Sequence, residues 1–189
     1  MRKIAFIILG LVLVVVAALV LVVAVQPAEF AITRSLAMNA PPAAIFAEVN
    51  DFKRWGGWSP WEKIDPNLKR TYGEITAGVG AVYRWQGNDQ VGEGSMTISS
   101  IKPDQQITIK LEFLKPFAAK NQTIFDFTPT AAGTTVTWTM RGRNDFMTKA
   151  VCLFMDMDKM VGADFEKGLA QLKALSGTAP AKTDPPQAK

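Results

Sequence analysis

The sequence predicts an α+β protein: a curved antiparallel sheet of about seven strands wrapped on a long C-terminal helix, carried behind an N-terminal transmembrane helix. Three observations predict it. Ile4 to Val25 form a run of 22 uncharged, almost purely aliphatic residues. Between residues 70 and 142, six short segments rich in β-branched and aromatic residues alternate with turn-forming ones. After Asp145, apolar residues recur at every third or fourth position as far as Leu175.

The apolar run is long enough, at about 1.5 Å per helical residue, to cross roughly 30 Å of hydrocarbon. A cleaved secretory signal is the rival reading. Its apolar region is normally shorter, about 7–15 residues, and ends in a small-x-small site that the exit Val23-Ala24-Val25-Gln26-Pro27-Ala28 lacks in good form. The run therefore reads as an uncleaved anchor. Arg2 and Lys3 flank its start, while Glu29 and Arg34 roughly cancel beyond its end. By the positive-inside rule the N-terminus stays in the cytoplasm and the domain is extracytoplasmic. Residues 1–28 are then anchor, 29–176 one domain, and 177–189 a proline-rich tail too polar to pack.

Phe30 to Met38 reads as an edge strand. Asn39-Ala40-Pro41-Pro42 opens a helix capped by Asn39 or Ala40, since proline fits the first turn without losing a bond. Ile45, Phe46 and Val49 give it an apolar face, and Asn50-Asp51 ends it and caps a short helix over 52–55. Residues 58–66 are irregular, because two X-Pro steps push Ser59 and Asp65 out of helix. Strands follow at 70–76, 81–87, 91–101, 107–113, 123–128 and 135–142, joined by connections short enough to make neighbours antiparallel. In the fourth of these, Ile107, Ile109, Leu111 and Phe113 face one way, with Gln106, Thr108, Lys110 and Glu112 opposite. Asp145 then caps one continuous helix whose inward stripe includes Phe154, Val161, Phe165, Leu172 and Leu175.

Composition excludes several chemistries. All 17 acidic residues and all but two of the 21 basic ones follow the anchor, leaving the domain at +2 with no basic stripe for nucleic acid. With no histidine and one cysteine, the commonest general base and zinc ligands are missing, so no zinc is expected, while an all-carboxylate site for a hard cation stays open; no cofactor is expected. Cys152 is the single cysteine and reads as a small buried hydrophobe. A sheet with one apolar face needs the terminal helix as cover, and the space between the two suits small apolar ligands.

Several motifs, taken in order, carry a resemblance. They are Ala40-Pro41-Pro42-Ala43-x-Ile45-Phe46, then Trp55-Gly56-Gly57-Trp58-Ser59-Pro60-Trp61 with Asp65-Pro66, then Gly78-Val79-Gly80-Ala81. Gly133-Thr134-Thr135-Val136-Thr137-Trp138 and Gly162-Ala163-Asp164-Phe165-Glu166-Lys167-Gly168-Leu169 complete the set. Together they resemble the START/polyketide-cyclase (SRPBCC) superfamily, in its membrane-anchored bacterial branch. The resemblance implies a helix-grip fold with a deep hydrophobic cavity. It implies no single activity, since members include lipid carriers, aromatase-cyclases, coenzyme-Q-binding proteins and chaperone ATPase activators.

The expected ligand-facing residues are Trp58 and Trp61 near the cavity mouth, Tyr83, Trp85, Met96, Leu111, Phe125, Trp138 and Met140 on the strands, and Met157, Met160 and Phe165 on the terminal helix. Trp55, Trp58 and Trp61 form either an aromatic lid or plain core. Asp65 reads as a turn former rather than a catalytic acid. No catalytic residue is assigned. The leading expectation is a membrane-anchored binding protein for a lipid, isoprenoid or other apolar small molecule. An enzyme of the cyclase or hydrolase kind using the same cavity is the alternative, and a protein-interaction module the third. A buried titratable cluster in the cavity favours the enzyme, and an open apolar cavity favours the carrier.

Overall fold

Alternating apolar and polar residues can bury only one face of a sheet, and this alternation sets the architecture. The structure, a computed structural model, describes residues 2–177; the remainder of the expected tail, 178–189, lies outside them. The element order is α1 (Arg2–Val25), β1 (Glu29–Met38), α2 (Pro42–Asn50), two 3₁₀ turns (Phe52–Gly57 and Pro60–Lys63), β2 (Lys69–Tyr72), β3 (Val82–Gln86), β4 (Glu93–Lys102), β5 (Gln106–Lys115), β6 (Ala119–Thr130), β7 (Gly133–Arg143), α3 (Phe146–Cys152) and α4 (Met157–Ser176). One seven-stranded antiparallel sheet runs β1-β7-β6-β5-β4-β3-β2, so the first strand lies beside the last.

Register shifts at Ser99 in β4 and Leu114 in β5 bend the sheet around its apolar face. Helix α4 lies against that face, burying Gly162, Phe165, Gly168, Leu169 and Leu172. Arg34 of β1 fastens the helix down: its guanidinium bonds Asp158 and Glu166, both at 2.9 Å. The guanidinium rests on Gly162, where any Cβ would collide with it.

Several expectations are corrected. The C-terminal helix is two helices, because Asp156 caps a second start by accepting from the Lys159 N–H at 3.0 Å. Asp strongly favours such a cap over a helix interior, and Asp158 adds charge to the new first turn. Asp145 caps only α3, accepting from the Thr148 N–H at 2.7 Å. Phe154 falls in the break and is 81% exposed rather than inward, and Cys152 is only partly buried.

The cap of α2 is Pro41, without a side-chain bond, because Asn39 and Ala40 stay tied to β7. There the Thr134 hydroxyl donates to the Ala40 carbonyl at 2.7 Å. Strand β2 stops at Tyr72, four residues short of Thr76. The Thr76 carbonyl accepts instead from the Phe52 N–H, and Ala77 bridges Asp51, which draws this stretch toward the end of α2. Finally, the segment 58–66 is not wholly irregular, since it holds the one-turn 3₁₀ helix at Pro60–Lys63.

Candidate functional site: an apolar cavity with one polar corner

Between the sheet and α4 lies a cavity of about 260 Å³. Strand β3 contributes Tyr83 and Trp85, β4 Met96, β5 Leu111 and Phe113, and β7 Trp138 and Met140. Helix α4 closes it with Val161, Asp164 and Phe165, and the 3₁₀ segment with Trp55, Ser59, Trp61 and Glu62. Aromatic rings dominate one wall. Trp138 stacks on Phe165 with centroids 4.2 Å apart, and Trp61 stands edge-on to both rings.

Eight of the twelve residues expected to face a ligand line this cavity: Trp61, Tyr83, Trp85, Met96, Leu111, Trp138, Met140 and Phe165. The other four do not. Trp58 and Phe125 are fully buried one layer deeper, packed edge-to-face at 6.0 Å in the solid core. Met160 points away from the cavity and is 52% exposed, because it lies five residues, about 140° of helical turn, before the inward Phe165 on the same helix. Met157, 36% exposed, lines an outer groove instead.

The tryptophan lid is likewise replaced by core and wall. The Trp55 indole N–H donates to the Val49 carbonyl at 2.9 Å and that of Trp58 to the Glu48 carbonyl at 3.3 Å, so both rings are pinned to the end of α2. Asp65 is buried and spends its carboxylate on the Asn67 and Asn88 N–H groups, at 2.8 and 2.7 Å. It ties the loop after Pro60–Lys63 to the β3–β4 turn and lies outside the cavity lining.

The polar corner was not foreseen. Glu62 is buried and lines the cavity. It accepts from the Tyr83 hydroxyl at 2.5 Å and from Arg70 Nε at 2.6 Å. Arg70 also donates to the Glu62 and Leu68 carbonyls. Burial, then the adjacent carboxylate, pushes the Tyr83 hydroxyl far above the ordinary phenol range, so it is held as a neutral donor. Glu62 sits in a stretch with no periodicity and Arg70 on the short edge strand, so neither pattern nor spacing marked them. Among the described residues no group of three or more Asp, Glu or Cys side chains converges as a metal site would require.

A sheet gripping one helix over an apolar cavity defines a class of small-molecule-binding domains. The chain belongs to the family described as "Polyketide cyclase / dehydrase and lipid transport", whose model matches residues 29–177. Solved structures of low identity share the fold. Protein CV1439 from Chromobacterium violaceum is 16% identical with a TM-score of 0.58, over 79% of this chain and 98% of that one. Protein MLL2253 from Mesorhizobium loti is 12% identical with a TM-score of 0.58, over 79% and 99%. Protein SA2116 from Staphylococcus aureus is 11% identical with a TM-score of 0.61, over 82% and 97%. No curated protein matches the chain in sequence at a significant level.

Proposed function

We propose that this protein is a membrane-anchored binding protein that holds an apolar small molecule, such as a lipid chain or an isoprenoid, in the cavity under α4. The observation that carries the reading is the cavity itself: enclosed largely by aromatic, Met and Leu side chains, with few polar atoms. Pockets for drug-sized ligands usually measure about 300–1,000 Å³, so the inner cavity suits one ring system or one chain segment rather than a whole diacyl lipid. α1 is the anchor, by length and composition, and the positive flank at Arg2 and Lys3 puts the domain on the extracytoplasmic side.

A second reading has one observation in its favour. The Glu62–Tyr83–Arg70 corner is a buried titratable cluster in the cavity wall, as an enzyme of the cyclase or hydrolase kind would need. Its bonding favours the carrier all the same. Each Glu62 oxygen already accepts a charge-assisted or phenolic bond, and Tyr83 is held protonated, so neither is poised to take a proton.

The test is mass spectrometry of small molecules that co-purify with the full chain, compared with Leu111→Trp and Met96→Trp, which fill the cavity. Apolar molecules enriched on the wild type and lost from both variants support the carrier. Equal recovery from all three sinks it. Chemically altered molecules that disappear with Glu62→Gln would move the assignment to the enzyme.

A further inference from the structure

The inner cavity borders a larger groove of about 1060 Å³; Phe113, Lys115, Pro116, Met140 and Val161 line both. The groove is walled by Gln26 and Pro27 just past α1, by the start of β1, by the β5–β6 turn, and by α3 with its connector to α4. These elements carry large apolar side chains without cover: Phe154 is 81% exposed, Phe117 76%, Met147 69% and Leu114 57%. Phe146, Val151 and Met155 add to them. Exposed apolar residues scattered singly are ordinary, whereas a set gathered around one opening marks a contact surface.

The position of α3 says what that surface meets. Helix α3 packs against α1, and its Lys149 ammonium reaches the Ala24 carbonyl at 3.4 Å, on the last turn of the apolar helix. Only Gln26, Pro27 and Ala28 separate α1 from β1, a tether of about 10 Å at most. If α1 spans a bilayer, α3 and the groove lie at the level where the chain leaves it. Arg143 and Lys149 line the groove, as do Lys115 and Lys120, which are paired with Glu93 and Glu112. Of the acidic groups there, Asp145 and Asp156 are used as helix caps, Asp158 is paired with Arg34, and Glu29 remains.

We propose that α3, the Leu153–Asp156 connector and the β5–β6 turn insert into the bilayer interface. The groove then opens onto lipid, and the cavity exchanges its ligand with the membrane without passage through water. The inference rests on the reading of α1 as an anchor.

The full chain, with Cys152→Ala, is reconstituted in phosphatidylcholine–phosphatidylglycerol vesicles with a single nitroxide-labelled cysteine at position 117, 154, 102 or 13. Labels at 117 and 154 are expected to collide with oxygen rather than with a water-soluble nickel chelate, at a depth of about 5–10 Å. A label at 102, the last residue of β4, at the end of β5 away from the β5–β6 turn, is expected to collide with nickel, and one at 13 to lie deepest. Labels at 117 and 154 that behave like 102, while 13 stays deep, overturn the rim. A nickel-accessible label at 13 overturns the anchor instead.

Discussion

Gly168 of α4 lies directly over the indole of Trp138: a Cβ built on Gly168 would stand 2.8 Å from Cζ3 of that ring. The same ring stacks on Phe165 with planes 5° apart, so the sheet meets α4 through this ring, at the bare backbone of Gly168 and at the Phe165 ring. Gly168→Val should therefore force a rigid, fully packed ring to move. Overpacking of this kind costs about 1–3 kcal/mol, and a β-branched residue recovers little of the helix propensity that alanine would. Urea denaturation should show a lower midpoint. An unchanged midpoint would mean that α4 is not seated on Trp138.

The indole N–H of Trp138 is buried without a partner, whereas that of Trp55 is bonded to Val49. Phenylalanine at 138 removes an orphan donor. At 55 it leaves a buried carbonyl without its bond. Such an unmet group costs about 1–3 kcal/mol, so Trp55→Phe should be more destabilising than Trp138→Phe by that order. Paired equilibrium unfolding curves check it. Equal losses would show that the Trp138 N–H has a partner in solution.

Tyr83 gives a pH dependence whose sign is fixed. Its folded pKa is raised, mainly by burial and then by Glu62, while the unfolded phenol titrates near 10. Above about pH 10 the folded state holds more protons than the unfolded one, so stability falls as pH rises. It is fully present below that pH. Tyr83→Phe should flatten the slope above pH 10, relative to wild type, after the milder contribution of Tyr72 is allowed for. In a Tyr72→Phe background, absorbance of tyrosinate at 295 nm should rise only with unfolding. A phenolate step near pH 10 in the folded protein would contradict the burial of this hydroxyl.

Arg34 spans β1 and α4 through Asp158 and Glu166, and its hydrogen bond holds the Asp158 carboxyl below the usual range. Both carboxylates are largely exposed, so solvent screening leaves the pairs only a small contribution. Arg34→Gln should lower stability slightly in dilute buffer. The difference from wild type should shrink at about 1 M salt, where screening acts within roughly 3 Å. A loss that is independent of salt would assign the role of Arg34 to its packing on Gly162 instead.

Met160→Gln is a poor test of binding, because Met160 is half exposed and lines neither concavity. Met96 and Leu111 reach the same space from the sheet and replace it.

Local pattern by itself determined the strands, their antiparallel order and the apolar helix at the start, since a period of two or an unbroken aliphatic run is written in neighbouring residues. It also gave the inward faces of β3, β4, β5 and β7, hence six of the eight wall residues. Tertiary structure alone decided where side chains of equal hydrophobicity stop being core and become wall: Trp58 and Trp61 stand three apart, yet one is sealed under Phe125 and the other borders the cavity. The end of the chain turned on one competition, between continuing the helix and capping it anew at Asp156, and that choice separated Phe154 from the inward stripe of α4. The polar corner depended on contacts between residues 8 and 21 positions apart, Glu62 with Arg70 and with Tyr83, across a loop whose course only the packed fold defines. A burial pattern is a local property of the chain, but the desolvation that makes a Glu–Tyr–Arg group matter exists only once distant elements have closed around it.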